Sequence, residues 1–373
     1  MTRFHELDAL RAFAMLLGVV LHASMFLVWR EWPVVAKEIS PDLPYDDIVH
    51  AIHGFRMPVF FLLSGFFTAM LWQRRGRKEL VNHRLRRVGL PLVIGAFTIV
   101  PIHVFWIVYL KGDEITLLTP FWILAFGWIY GLQHLWFLWM LLLLVGLFIG
   151  VSSLGIKFTH RWLWWTLIPL VLVPQLMMKE YTWGPDTASH IIVNPIVLGY
   201  YLFFFLFGAF MFHSGMSIDR RWIFALLPVI PIFYVGRIFE FTADSLGAHI
   251  ASSVFQVMYA WAMCFGTMGC FKIMASANRP WVRYLSDASY WIYLWHVALI
   301  FPAQALAARL NWNVHLEVML IIVAVTAVLL AVYQLAVRHT WIGTLLNGRR
   351  VRREKDGEDQ SRAGPSTPVA LEK

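Results

Sequence analysis

Hydrophobic residues run along this chain in blocks long enough to cross a membrane, separated by short polar or basic stretches. A bilayer core needs about 20 apolar residues per helix. Blocks of that kind predict ten spans, at 8–28, 52–72, 89–110, 134–151, 163–178, 194–213, 221–239, 248–273, 288–308 and 316–337. The apolar piece at 121–130 is too short to span and is predicted to be interfacial or re-entrant. The pattern predicts an all-α polytopic membrane protein.

Composition supports this class and excludes an ordinary soluble domain. The 373 residues are 59% hydrophobic and only 14% charged, which is too apolar for a soluble protein. We expect one transmembrane domain over residues 1–340, followed by a disordered basic and polar tail over 341–373. The net charge of +9 is typical of nucleic-acid binding as well, but the basic residues lie between apolar blocks, where membrane topology accounts for them.

The distribution of basic residues predicts the orientation. With ten spans and the N-terminus inside, most of the 31 Lys and Arg residues fall on the inner side, including the basic stretch at 74–87 and the C-terminal tail. Cytoplasmic loops of membrane proteins carry this excess of positive charge. Both termini are therefore predicted to be cytoplasmic.

Two ionisable residues, Arg11 and His22, lie inside the first apolar block. Such residues are costly in hydrocarbon and usually mark a pathway or a reaction site. Eleven residues return an α-helix almost to its starting direction, so both side chains share one face, about 16 Å apart along the axis. The guanidinium suits an anionic ligand and the imidazole suits proton transfer; the alternative for His22 is a structural histidine bonded to a neighbouring helix.

The second block opens with His53 and Arg56, which are neighbours on a helix surface. They could bind an acceptor or a carboxylate, or they could be interfacial anchors. Arg237 is a second residue that could pair with a carboxylate of the acyl group, although an acidic residue of the protein could be its partner instead. The pair Ser64-Gly65 is interpreted as a close helix contact rather than a nucleophile, because no nucleophile-elbow motif surrounds it.

Three further groups could contribute to a site. Arg84 and Arg87 could hold phosphate groups, or serve only as a topology signal with lipid contacts. The other two groups open spans four and nine with polar and aromatic residues, and each could instead belong to an aromatic belt; they comprise His134, Trp136, Tyr293 and His296. The sequence contains no recognised metal-binding spacing and no Walker loop, so neither a bound metal nor ATP-driven transport is predicted.

Four of these patterns, taken in order, resemble the acyltransferase-3 membrane family. They are Leu7 to Ala12 with Arg11 and His22, then Phe60 to Phe66, the Arg84/Arg87–Pro91 block, and Ser289 to His296. The stretches Ile52 to Met57, Arg87 to Pro91 and His134 to Leu138 are most similar to the glucan-biosynthesis protein C group of periplasmic glucan succinyltransferases. The chain departs from the wider family's more basic pattern before Pro91. In this block, the family's residue roles can therefore be assigned only to Arg84 and Arg87.

The resemblance implies a multi-pass bacterial inner-membrane enzyme. It would move an acyl group, succinyl or acetyl, from cytoplasmic acyl-coenzyme A to a carbohydrate hydroxyl, without a permanently bound cofactor and without nucleic acid. Arg11 and His22 would be catalytic, with His22 as general base; the substrate-binding residues would be Arg84, Arg87, His53, Arg56, His134, Trp136, Tyr293 and His296. The main alternative is a secondary transporter that uses the buried Arg and His as a substrate and proton path.

Overall fold

A computed structural model describes residues 4–28, 44–154, 165–178, 183–241, 245–277, 279–310 and 312–348. Within these ranges all regular secondary structure is helical. The helices are α1 (His5–Ser24), α2 (Tyr45–Arg84), α3 (Leu90–Lys111), α4 (Thr119–Phe126), α5 (Trp136–Ser153), α6 (Leu167–Leu170), α7 (Leu172–Met177), α8 (Pro195–His213), α9 (Val229–Phe241), α10 (Leu246–Met274), α11 (Pro280–Leu310), α12 (Val314–Val332) and α13 (Trp341–Asn347). The all-α prediction is therefore confirmed for the described residues.

The described helices support a polytopic membrane protein. Eight continuous helical segments are long and apolar enough to cross a membrane. One of them, Tyr45–Lys111, contains two of the predicted spans, while the predicted span at 163–178 is represented by the short apolar segment Leu167–Met177 and partly lies outside the described residues. The count of ten spans and the cytoplasmic termini stay predictions.

The centre of the bundle is a close crossing of α2 and α8. A Cβ on Gly65 would overlap the backbone carbonyl of Phe205, and a Cβ on Gly208 would overlap that of Leu62. Each glycine therefore admits the backbone of the other helix, as small residues do at membrane helix contacts. The interpretation of Ser64-Gly65 as a helix contact agrees with this crossing.

The long helix α2 changes direction near its C-terminal end. Gly76 has φ 76° and ψ 179°, a left-handed backbone conformation that glycine adopts without steric cost. Beyond this break the chain returns towards the bundle, so that Arg84 hydrogen-bonds Thr68; sixteen residues of straight helix would hold the two about 24 Å apart. A π-helical turn at Leu85–Gly89 then leads into α3.

A short helix lies at the start of the predicted tail, and the domain boundary at residue 341 stays a prediction. The tail was predicted from residue 341, but Trp341–Asn347 form α13, and the Asn347 amide donates a hydrogen bond to the Asp287 carbonyl at 2.8 Å. Leu346 on the same helix is buried, so an apolar face keeps this segment on the bundle. Residues 349–373 lie outside the described part of the chain, and their disorder stays a prediction.

Candidate active site

A cavity of about 520 Å³ lies among α1, α2, α5, α11 and α13. Most of the ionisable side chains that line it are basic: Arg11, Arg74, His83, Arg84 and Arg87. Two acids, Asp8 and Asp287, also line it. We call this space the arginine cavity. Guanidinium groups present planar donors that match phosphate and carboxylate oxygens, so the cavity suits an anionic ligand.

Neighbouring groups hold the arginine side chains in place. Arg11 pairs with Asp8 at 3.3 Å on the same helix, and its guanidinium carbon lies 5.7 Å from the centre of the Phe67 ring. Arg84 donates from Nη2 to the Thr68 hydroxyl at 2.7 Å. Because Arg11 keeps 37% of its side-chain surface exposed, it can meet a charged ligand without leaving these partners.

The deep end of the arginine cavity is apolar. Met15, Phe60 and Phe137 line it together with Ser289, whose hydroxyl lies 3.4 Å from the Met15 sulfur. Phe60 and Phe137 pack edge to face, with ring centres 4.4 Å apart. A ligand whose polar end is held by the arginines would therefore extend a less polar part between these side chains.

A histidine cluster lies further along α1. It contains four of the described histidines, with ring centres 5.2 Å apart for His22 and His296, 5.3 Å for His296 and His134, and 4.9 Å for His134 and His103. His103, His134 and His296 are buried. Met15 and His22 are seven residues apart, so the cluster begins about 10 Å beyond the cavity along α1.

Two histidines of the cluster have a defined tautomer. His134 hydrogen-bonds from Nε2 to the Leu294 carbonyl at 3.0 Å, and His296 from Nδ1 to the Tyr293 carbonyl at 2.8 Å. A carbonyl only accepts, so these nitrogens carry the protons. His134 Nδ1 and His296 Nε2 then present lone pairs, and neither has a hydrogen-bond partner among the described residues. Such nitrogens can accept a proton.

The sequence-predicted residues fall into two groups and two outliers. Arg11, Arg84 and Arg87 meet in the arginine cavity. His22, His134 and His296 meet in the histidine cluster; Tyr293 joins it by donating to the His134 carbonyl at 2.7 Å, and Arg56 approaches His296 beside Gly18 on α1.

His53 and Trp136 lie outside both groups. The His53 ring donates to the Pro185 carbonyl at 2.9 Å, and the ring contacts of Trp136 are with Phe61 and Tyr201. These partners give both side chains packing roles in the described structure. Their predicted substrate contacts stay predictions.

His103 belongs to the cluster but is not among the residues predicted from the sequence. This residue lies within the third predicted span, is 2% exposed, and packs against both His134 and Phe301. An ionisable residue in an apolar block was the signal that identified His22, and the same criterion would have found His103.

The histidines do not form a metal site within the described residues, where no group of three or more His, Cys, Asp or Glu side chains could hold an ion. The ring centres follow one another at about 5 Å spacing, and His134 and His296 each already donate one ring N–H to a backbone carbonyl. The arrangement suits the transfer of protons.

Apolar helices of spanning length define a polytopic membrane protein, and the arginine-lined cavity and buried imidazoles have the chemistry that suits an anionic ligand and proton transfer. A family model described as "Acyltransferase domain" matches residues 4–334. The chain belongs to this family, the acyltransferase-3 family, and is a membrane acyltransferase.

Similar curated proteins carry the name glucans biosynthesis protein C. The one from Escherichia coli O81 (strain ED1a) is 26% identical over 402 residues, which cover 95% of this chain and 97% of that protein. Those from E. coli strains SMS-3-5 and K12 are 33% identical over 155 residues, an alignment that covers 40% of this chain but only 39% of each relative. No solved structure matches the chain.

Proposed function

We propose that this protein transfers an acyl group, succinyl or acetyl, from cytoplasmic acyl-coenzyme A to a carbohydrate hydroxyl in the bacterial inner membrane. The observation that carries the proposal is the succession of an arginine cavity and a buried histidine cluster along one face of α1. The names of the relatives support a glucan as the acceptor. An envelope glycan is the broader acceptor class.

The arginine cavity suits the donor. Coenzyme A carries phosphates at one end and a thioester at the other, and the cavity has guanidinium groups at one end and apolar side chains at the other. Arg11, Arg84 and Arg87 would hold phosphates through charge-assisted hydrogen bonds. The thioester arm would then pass Met15 and Phe60 towards the histidine cluster.

The histidine cluster suits the removal of the acceptor's proton. A neutral imidazole is an effective general base near neutral pH. His22 is the first candidate, because it lies on the cavity face of α1 in contact with His296. His296 is the second, because its Nε2 has no partner among the described residues. The surrounding apolar bundle would keep out water that hydrolyses thioesters.

The decisive experiment uses the purified protein in liposomes with radiolabelled acetyl- or succinyl-coenzyme A and a glucan acceptor. We expect label in the glucan and one free coenzyme A thiol per ester formed. A transporter would move label or glucan across the membrane and leave the thioester intact. Mass spectrometry of envelope glycans from cells with and without the gene tests the same proposal in vivo.

The proposed use of a cytoplasmic donor depends on the orientation. Reporter proteins fused after residue 154 and at the C-terminus should both report the cytoplasm, because the predicted ten-span topology places both positions inside. An extracytoplasmic signal from the C-terminal fusion would require an odd number of spans and would contradict this orientation.

A further inference from the structure

Arg56 and Arg237 are both arginines in apolar helices, but they have different surroundings. Arg237 donates to both carboxylate oxygens of Glu240, at 3.1 and 3.2 Å, and also pairs with Asp46. Arg56 has no hydrogen bond or ion pair to any described residue, and its Nε is fully buried. Acidic residues of the protein therefore already pair with Arg237, whereas the Arg56 guanidinium can bind an anion from outside the protein.

The Arg56 guanidinium lies at a defined point of the histidine cluster. A Cβ on Gly18 would overlap Nη1 of Arg56 and would lie 3.5 Å from Nε2 of His296. Gly18 precedes His22 by one helical turn on the same face. Because Gly18 has no side chain, the Arg56 guanidinium and the Nε2 lone pair of His296 can both approach α1 next to His22.

A charged group in this position needs a physical reason. Arginine stays protonated in proteins, and Arg56 is half-buried with its Nε fully enclosed, so a cation without a protein partner among the described residues is kept here at a cost in free energy. Placed beside a base, such a cation stabilises a negative charge that develops only during the reaction. In acyl transfer that charge appears on the carbonyl oxygen of the tetrahedral intermediate.

We propose that Arg56, in the space opened by Gly18, binds the oxyanion of the tetrahedral intermediate, an assignment that rests on the proposed acyltransferase function. The acceptor oxygen forms a bond to the thioester carbon while its O–H bond breaks, and the proton passes to an imidazole of the His22–His296 pair. The carbonyl electron pair moves onto oxygen beside Arg56. On collapse the C–S bond breaks, and the thiolate of coenzyme A takes up the proton.

The test compares Arg56→Gln, Arg56→Lys and Gly18→Ala with wild type, in liposomes, with acetyl- and succinyl-coenzyme A as donors. Removing one hydrogen-bond donor to an oxyanion typically lowers kcat by 10²–10³-fold. We expect a kcat loss of about that size for Arg56→Gln with either donor, with unchanged affinity for coenzyme A. Arg56→Lys should recover part of the rate, because it keeps the charge but loses the planar fork.

Gly18→Ala tests the same point without removing the charge. The added methyl group would displace the guanidinium, so we expect kcat to fall by about tenfold or more while coenzyme A binds normally. Gly146→Ala is the matched control, because a Cβ there meets nothing within 4 Å, and its activity should equal that of wild type. If Arg56→Gln fails to accumulate in the membrane, Gly18→Ala and Arg56→Lys still decide the question.

If the wild-type protein is active, any one of three results for Arg56→Gln would overturn the proposal. Arg56→Gln could retain its kcat, could lose affinity for coenzyme A at unchanged kcat, or could lose activity only with succinyl-coenzyme A. The last result would make Arg56 a binding site for a carboxylate of the acyl group. Absence of transfer by wild type would instead refute the proposed function, and this assignment with it.

Discussion

The arginine cavity and the histidine cluster lie along one face of α1, but their polar side chains differ in partners and in exposure. In the cavity, Arg11 is paired with Asp8, Arg84 is bonded to Thr68, and Arg11 keeps over a third of its side chain exposed. In the cluster, His134 and His296 are buried, and each has one nitrogen without a partner among the described residues. Arg84 Nε and His83 Nδ1 in the cavity are also buried without partners in the described part of the chain, so the difference lies in charge and in the exposure of Arg11. A partly exposed, ion-paired guanidinium suits reversible binding, whereas a buried imidazole with an unpartnered lone pair suits proton transfer.

This difference predicts a division of the two kinetic constants. Interactions that are equal in the ground and transition states change affinity, and those formed only in the transition state change kcat. We therefore expect substitutions in the arginine cavity to act mainly on coenzyme A affinity. Substitutions in the histidine cluster should act mainly on kcat.

The largest expected effect is that of His22→Gln. Glutamine keeps hydrogen-bonding capacity but cannot accept the proton, so kcat should fall by about 10²–10⁴-fold while coenzyme A affinity is retained. Thiol release under single-turnover conditions measures the first quantity, and calorimetry measures the second. His296→Gln, examined in parallel, shows which imidazole of the pair is the base.

The control for the histidine variants is His213→Gln, at the end of α8, which should keep full activity. Near wild-type activity of His22→Gln with inactive His296→Gln would move the base to His296. Activity in both variants would leave His22 structural and move the base to His134, whose Nδ1 also has no partner among the described residues.

The next effect is that of Arg87→Ala on donor binding. Loss of a charge-assisted hydrogen bond costs about 1.5–3 kcal/mol, so the Kd for coenzyme A should rise by about 10- to 100-fold at nearly constant kcat. Arg87→Lys should restore the affinity only in part, because the bidentate fork is lost. Arg221→Ala is the control, because that side chain is 86% exposed and lies outside the cavity. An unchanged Kd in Arg87→Ala would reduce this residue to a topology signal.

A third substitution, Gly65→Ala, should affect both regions through the fold. The added Cβ would overlap the Phe205 carbonyl, and overpacking of this kind costs about 1–3 kcal/mol. Denaturant titration in mixed micelles should show this loss of stability, with Gly146→Ala unchanged. Full stability of Gly65→Ala would mean that α2 and α8 can separate without cost, contrary to the close crossing described above.

The smallest expected effect is that of Thr68→Val. Valine has the shape of threonine but cannot accept the hydrogen bond from Arg84, so the guanidinium loses its fixed position. We expect a threefold to fivefold rise in the Kd for coenzyme A, a loss of just under 1 kcal/mol, at constant kcat. Thr98→Val on α3 is the matched control, because its hydroxyl is exposed and bonds only its own helix. A drop in kcat for Thr68→Val would contradict the expectation that substitutions in the arginine cavity mainly change the affinity for coenzyme A.

Residues close together in one helix could be related from the sequence. The helical period places Arg11 and His22 on one face, and the structure shows Arg11 in the cavity and His22 in the cluster. The helical class follows from hydrophobic blocks, because a bilayer admits chains only when their backbone hydrogen bonds are satisfied internally. Local periodicity therefore accounts for these features.

Contacts between distant segments were decided by packing. The sequence offered Arg56 and Arg237 as equal candidates for an anion, and only the fold shows that Asp46 and Glu240 occupy Arg237. His53 and Arg56 lie one turn apart, yet His53 bonds to Pro185 in a remote segment. No periodicity encodes which helices will meet.

The sequence by itself determined the hydrophobic segments, the class of protein and the two ionisable residues of the first span, because these depend on transfer from water and on the period of one helix. The tertiary structure decided that histidines from α1, α3, the turn before α5 and α11 form one row. It also decided that Gly18 opens space for Arg56. These arrangements depend on close approaches between helices, which are set by side-chain shape and small residues across the whole bundle.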